Sequence, residues 1–306
     1  MNARPTYTPH DLAPKPMSRA AVSDHGPYSR FGADPVPHIF RIEQYISAPA
    51  VEAIRRAFLL SKTSHNGWAT QKRAGRFDAR QAARATRLEQ DVFKRRAGKS
   101  ITKVRLTVLL DASGSMGTMD ARFPNPLAPG KMLRGQRRLA AAIFGATIAK
   151  ALGTVPTIDL DVFQHAASHQ LILKWRWAKG TPVTVFNSAT TSIGAGGNAD
   201  GHALFALTQR ALKNLKRDER AVIMVVSDGL PTDYSPDGKG DARSALHDAI
   251  DYARKHGVEV IAVAIDGSDQ SAYYGKEHMI QHDGSWTHLG AALAKVVGSI
   301  LATPAR

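Results

Sequence analysis

Short apolar runs alternate with longer amphipathic stretches over the C-terminal two thirds of the chain. The apolar runs are rich in β-branched residues and lie at 103–110, 157–163, 221–226 and 258–265. Runs that are apolar nearly throughout are typical of parallel strands covered on both faces. The intervening patterns predict helices at 131–152, 201–216 and 241–256, a short strand at 277–281 and a last helix at 285–301. This alternation predicts an α/β fold with a doubly wound, mostly parallel sheet, to which residues 167–177 add an edge hairpin.

The N-terminal third has a different pattern. Residues 1–37 hold seven of the sixteen prolines and show almost no apolar periodicity, so they predict a disordered arm. Residues 38–100 predict a basic, partly helical extension, with a helix starting near Pro49 and another over about 79–91 capped by Asp78. The sheet domain then occupies residues 101–306.

Charge is distributed unevenly between these regions. Residues 1–100 carry 18 basic and 8 acidic side chains, a net charge of +10 out of the +15 of the whole chain. For the basic stretch 66–99 three interpretations stay open: a helix packed on the sheet domain, a docking arm for an acidic protein, or a nucleic-acid contact. Its aromatic residues are too sparse for a base-stacking platform.

Composition also limits the chemistry and the location of the protein. The chain has no cysteine, which excludes disulfides and thiolate metal sites. Neither a signal-peptide pattern nor an apolar run of the roughly 20 residues that span a bilayer is present, so we expect a cytoplasmic protein.

Polar residues stand at the ends of two predicted core strands. Asp111, Ser113 and Ser115 follow the run at 103–110, and Asp228 follows the run at 221–226. A third loop, rich in glycine at 194–201, directly precedes a helix. In a doubly wound sheet such loops meet at one edge, and carboxylate and hydroxyl oxygens are the ligands that Mg²⁺ prefers. The alternative is that both aspartates merely cap their loops through backbone amides.

These loops resemble those of a von Willebrand factor A (VWA) domain with a metal-ion-dependent adhesion site, or MIDAS. The resemblance rests on the Asp-x-Ser-x-Ser motif at 111–115 and on Ser-Asp-Gly at 227–229, and it covers residues 101–302. It implies a bound Mg²⁺ (or Mn²⁺ or Ca²⁺) with a free coordination position for an acidic side chain of another protein. Where the family usually has a threonine, this chain has Asn198, with Asp200 as the alternative ligand.

A further resemblance points to a partner. The stretches at 75–84 and 92–96, NADGHAL at 198–204, VVSDGLPTD at 225–233 and the Tyr273-Tyr274 pair resemble the C-terminal region of the cobaltochelatase CobT subunit family. It implies a role as an adaptor that couples an AAA+ ATPase of the CobS/MoxR type to a client. Two alternatives stay open: a non-catalytic subunit of a metal-inserting chelatase, and a nucleic-acid-associated protein acting through the basic segment.

Catalytic motifs are incomplete. Ser113-Gly-Ser115 lacks the first glycine of a nucleophile elbow, and Lys99-Ser100 lacks the glycine that begins a phosphate loop and is followed by a strand. We therefore predict no catalytic residue in this chain, and any ATP would be bound by a partner.

Overall fold

The computed structural model describes residues 41–63, 68–72, 76–77, 79, 93–96, 103–125, 128, 130–165, 173–189, 197–216, 219–229, 231, 241–265, 268–281, 292–293 and 296. The arm predicted at 1–37 and almost all of the helix predicted at 79–91 lie outside these residues. Of the last predicted helix, residues 292, 293 and 296 are described and helical, and Leu293 is fully buried.

Eleven strands occur within the described residues. They are β1 Trp68–Lys72, β2 Arg76–Phe77, β3 Phe93–Arg96, β4 Lys103–Asp111, β5 Ala121–Pro124, β6 Met132–Gly135, β7 Ile158–His165, β8 Leu173–Ala178, β9 Glu219–Ser227, β10 Val258–Ala264 and β11 Met279–Gln281. The helices are α1 Ala48–Thr63, α2 Arg137–Leu152, α3 Phe186–Ala189, α4 Asp200–Asn214, α5 Ala242–Lys255 and α6 Ser271–Tyr274. Short 3₁₀ turns lie at Ile42–Tyr45, Gly114–Gly117, Val183–Val185 and Lys276–His278.

Six of the strands form the central sheet, in the order β11-β10-β9-β4-β7-β8. All neighbours run parallel except the edge strand β8, which is antiparallel to β7. The first strand of the sheet, β4, therefore lies in its middle, with β7 on one side and β9 on the other. Strand order switches at β4, and in open α/β sheets the crevice beyond the carboxyl ends at this point is where ligands bind. The predicted doubly wound fold is confirmed.

Helices cover the two faces of this sheet. Leu106, Val108 and Leu110 of β4 pack on one face, in the same cluster as α1 and α2. On the other face Leu109 packs with α4 and α5. Helix α2 is buried around most of its circumference because it lies between the sheet and α1, which explains its run of alanines.

One prediction for this region is wrong. Residues 131–136 were expected to begin the helix that ends at 152, but Met132–Gly135 form β6, antiparallel to β5. Phe123 of β5 is buried and lies directly against Gly135, where a Cβ would come within 2.7 Å of its ring. This packing, which is not local in sequence, overrides the helical pattern, so α2 begins only at Arg137.

The extension before the sheet domain is also partly described. Helix α1 begins at Ala48, one residue before Pro49, as predicted. The basic stretch contributes a small antiparallel sheet in the order β1-β3-β2. No helix in the described part of the chain is long and apolar enough to cross a membrane.

Candidate functional site

Three neighbouring strands end at the same level of the central sheet. Strand β4 ends at Asp111, which lies in register with His165, the last residue of β7. On the other side Leu110 is in register with Val226, so the next residue of β9, Ser227, is level with Asp111. The β-sheet geometry alone therefore brings the loops after β4 and β9 together at the switch point.

The first loop turns back on Asp111. The backbone amide of Ser113 donates to Asp111 Oδ1 at 2.7 Å, which closes a tight turn after the strand. The hydroxyl oxygens of Ser113 and Ser115 are 3.0 Å apart. Asp111 is fully buried whereas Ser115 is exposed, so the loop leads from the buried carboxylate to the surface.

Asp228 completes this row of oxygen atoms from the neighbouring loop. The Ser115 hydroxyl donates to Asp228 Oδ1 at 2.8 Å. The other carboxylate oxygen, Oδ2, accepts a hydrogen bond from Arg137 Nη1 at 2.9 Å. The structure thus brings Ser113, Ser115 and Asp228 together as the sequence predicted.

Arg137 is a residue of this site that the sequence analysis missed. Its Nε and Nη2 atoms donate to both carboxylate oxygens of Asp120, at 2.7 and 2.6 Å, while Nη1 holds Asp228. The guanidinium therefore links two aspartates that are 108 positions apart in the chain. Only the correct start of α2, as its first residue, would have pointed to Arg137.

Asn198 lies in the second loop and connects the other two. Its Nδ2 donates to Asp111 Oδ2 at 3.0 Å and to Ser227 Oγ at 3.2 Å, and the Ser227 hydroxyl itself donates to Asp111 Oδ2 at 2.8 Å. The Asn198 carbonyl oxygen, predicted as a metal ligand, accepts from the backbone amide of Asp200 at 3.1 Å. In this arrangement Asn198 orients Asp111, and its role as a direct ligand stays a prediction.

Asp200, the alternative ligand, contacts His165 at the end of β7. One of its carboxylate oxygens lies 2.9 Å from Nε2 of His165, and both side chains are buried. The contact is close in distance, but it does not have hydrogen-bond geometry. His165, the last residue of β7, therefore lies in the interior beside Asp200.

Burial and charge together set the protonation of Asp111. The pKa of Asp111 is raised from 3.8 to about 6, mainly by burial; His165 opposes this rise, and the charges of Asp200 and Asp228 contribute to it. Burial also raises the pKa of Tyr274 well above its usual value, and Asp200 and Asp111 add to this effect. The carboxylates of the site are therefore desolvated and repel one another, and a bound cation would relieve this repulsion.

The spacing of the oxygen atoms fits a small divalent cation. Neighbouring ligands of an octahedral Mg²⁺ lie about 3.0 Å apart, given metal–oxygen distances of about 2.1 Å. The Ser115 hydroxyl oxygen lies 3.0 Å from the Ser113 oxygen and 2.8 Å from Asp228 Oδ1, close to this ligand–ligand distance. Three or more acidic or histidine side chains do not converge as a metal cluster anywhere in the described residues. The candidate set instead combines carboxylates with hydroxyls, as Mg²⁺ tolerates.

Comparison with known proteins gives no family assignment. No protein-family model matches the sequence, and no curated protein is recognisably similar to it. The chain is similar in fold to solved structures that include the pilus adhesin SpaC from Lactobacillus rhamnosus GG, at 14% identity and a TM-score of 0.42 over 65% of this chain and 30% of the adhesin.

Two further structures have comparable values. A D319A mutant of the PilB minor pilin from Streptococcus sanguinis matches at 13% identity and a TM-score of 0.41, over 65% of this chain and 61% of the pilin. The proximal thread matrix protein 1 of the mussel byssus, solved with a zinc-occupied MIDAS motif, matches at 15% identity and a TM-score of 0.40, over 66% and 46% of the two chains. Similarities this low do not assign a family, so the function has to be argued from the site itself.

Proposed function

We propose that the chain is a metal-dependent protein-binding adaptor whose sheet domain is of the VWA type. The observation that carries this proposal is the continuous row of oxygen atoms from Ser113 through Ser115 to Asp228, at the switch point of the sheet. Ser113, Ser115 and Asp228 would hold the ion, with Asp111 behind them and Asn198 orienting Asp111. Mg²⁺ is the ion that best suits these ligands, with Mn²⁺ and Ca²⁺ as alternatives.

A metal held in this way would serve binding better than catalysis. Two hydroxyls and one or two carboxylates leave coordination positions open toward solvent, since Ser115 is exposed. An oxygen ligand from another protein can fill such a position, and a carboxylate is the one that best offsets the charge of the ion. The hydroxyls of the two serines make their hydrogen bonds with each other and with Asp228.

The partner we propose is an AAA+ ATPase of the CobS/MoxR type, which the chain would couple to a client protein. This part rests on the sequence resemblance to CobT subunits alone. A chelatase subunit would share the ATPase partner, but only a chelatase makes metal insertion into a tetrapyrrole depend on this chain.

A pull-down from native lysate tests the proposal. The tagged full chain is incubated in Mg²⁺ or in EDTA, and captured proteins are identified by mass spectrometry. Ser115→Ala removes a candidate ligand, and Asp111→Ala removes the carboxylate behind the ligands. Asp251→Ala, at an exposed aspartate on α5, is the matched control. Circular dichroism checks that each variant is folded.

We expect an AAA+ ATPase with the wild type and the control in Mg²⁺, and its loss in EDTA and in the two site variants. Recovery of no ATPase, or equal recovery in EDTA, contradicts the proposal. Capture of nucleic acid that is unchanged in Asp111→Ala would instead favour a nucleic-acid-associated protein that acts through its basic segment.

A further inference from the structure

The hairpin formed by β5 and β6 adjoins the candidate metal site. It is inserted between the Ser113–Ser115 loop and α2, and its base is fixed at both ends. The backbone amide of Arg137 donates to the carbonyl of Thr118 at 3.1 Å, and Asp120 is paired with the Arg137 guanidinium that also holds Asp228. The surface of the hairpin is therefore continuous with the rim of the site.

One face of this hairpin is buried against the rest of the domain, and the other face is exposed to solvent. Ala121 and Phe123 are buried, and the Phe123 ring meets Tyr45 edge-on at 5.7 Å. Because side chains alternate along a strand, Arg122 of β5 and Arg134 of β6 lie on the opposite face. Both are exposed and stand directly opposite each other in the register.

Two like charges directly opposite each other destabilise a hairpin. Arg134 Nε donates to the Met119 carbonyl, but Arg122 has no ion pair among the described residues. The segment 118–137 contains four basic side chains and a single acidic one, Asp120, which Arg137 already engages. The hairpin thus carries an excess of positive charge at its surface, which an acidic partner would offset.

Exposed apolar side chains accompany these charges. Met119 is 58% exposed and Met132 is 42% exposed, two of the most exposed large apolar residues in the described part of the chain. Methionine suits surfaces that adapt to apolar groups of a partner. A phosphate backbone offers no such groups, whereas a protein segment that mixes acidic and apolar residues offers both.

We propose that this exposed hairpin face (Met119, Arg122, Met132 and Arg134) binds an acidic segment of a partner protein, next to the carboxylate that the metal would take. The inference deepens the function proposed above and rests on it for the identity of the metal-bound carboxylate. The arginines of the hairpin would bind the acidic residues that flank that carboxylate by charge attraction, without contacting the metal.

Fluorescence anisotropy with the full chain tests this. The probe is a fluorescein-labelled peptide of alternating glutamate and alanine, compared with its glutamine counterpart and with oligothymidylate of equal length. Arg122→Gln removes one cation that makes no ion pair with the described residues. Arg56→Gln, at an exposed arginine of α1 that pairs with Glu52, is the control. Each protein is measured in Mg²⁺ and in EDTA.

We expect Arg122→Gln to weaken binding of the glutamate peptide by about threefold, and its combination with Arg134→Gln by about tenfold, with or without Mg²⁺. Arg56→Gln should leave the affinity unchanged, and Arg122→Gln should unfold at the same or a higher temperature than the wild type because the like-charge pair is relieved.

Three results overturn the inference: the wild type does not bind the glutamate peptide, Arg122→Gln behaves as the control does, or oligothymidylate binds as tightly through the same arginines. The two proposals fail separately. An EDTA effect without an arginine effect rejects only the hairpin surface, and an arginine effect without an EDTA effect rejects only the metal.

Discussion

In the metal-free protein, the ionisation of Asp111 opposes folding at neutral pH. Its pKa of about 6 in the fold compares with 3.8 for the free side chain, mainly because the carboxyl group is fully buried. The native state therefore binds more protons than the unfolded state between these two values. By linkage the free energy of unfolding then falls as pH rises through this window.

The size of the effect follows from the two pKa values. A difference of this size corresponds to about 3 kcal/mol, of which about 2 kcal/mol is lost between about pH 4.5 and 7.5. The carboxyl groups of Asp120 and Asp241 act in the opposite sense: hydrogen bonds from Arg137 and from Ser244, respectively, lower their pKa values. They act below about pH 4, outside the window of Asp111.

Urea denaturation in EDTA, followed by tryptophan fluorescence, measures this effect for the wild type and for Asp111→Asn. Trp177 is buried and reports on the core. We expect the wild type to lose about 2 kcal/mol relative to the variant from about pH 4.5 to 7.5. Mg²⁺ at a hundredfold excess over its Kd should add about 2.7 kcal/mol at the higher pH and much less at the lower one. Equal pH dependence of the two proteins would refute the reasoning.

Four other substitutions test, by urea denaturation, an ion pair of the site, the contact between α4 and α5, and two ion pairs at the opposite edge of the sheet. Arg137→Gln should lower stability by about 2–3 kcal/mol, because it removes the ion pair to the buried Asp228, and Mg²⁺ should restore part of the loss. No loss in EDTA would contradict the role of Arg137. Gly201→Ala should lower the free energy of unfolding by about 1–3 kcal/mol, because a Cβ would come within 2.6–2.8 Å of backbone atoms of α5. In an exposed helix the same substitution is expected to add about 1 kcal/mol, and such a gain here would show that α4 and α5 are not in contact at Gly201. Glu219→Gln should lower the free energy of unfolding by about 1.5–3 kcal/mol, because it weakens the 2.7 Å ion pair with Arg105. Asp159→Asn should cost under about 0.5 kcal/mol, because Asp159 is half-exposed and lies 3.8 Å from Arg105. Similar losses in the two variants would show that burial does not strengthen the Glu219 pair.

The central sheet could be predicted from the sequence because its strands are apolar on both faces. The runs predicted at 103–110 and 221–226 correspond to Lys103–Asp111 and Glu219–Ser227. In a parallel sheet the carboxyl ends of such strands share one edge, so the meeting of the Ser113–Ser115 loop with Asp228 followed from the pattern alone.

The hairpin and the arginine at its base could not be predicted in the same way. Residues 131–136 have a pattern compatible with a helix, and their strand pairing depends on the packing of Phe123 against Gly135. Arg137 binds Asp228, which is 91 positions away, and no local pattern reports a contact at that separation.

The second loop shows a different limit of the sequence. An asparagine offers both an oxygen and two N–H donors, and composition does not tell which end faces the site. In the structure the Asn198 amide nitrogen faces Asp111 and its oxygen faces the start of α4.

Titration of the full chain with Mn²⁺, followed by electron paramagnetic resonance of the free ion, tests the central claim most directly. The oxygen atoms of Ser113, Ser115 and Asp228 should bind one ion per chain at neutral pH, and Mg²⁺ should displace it. Asp111→Ala should weaken binding, because it removes the negative charge behind these ligands. Unchanged free Mn²⁺ in the presence of the wild type, or equal binding by Asp111→Ala, would contradict the account.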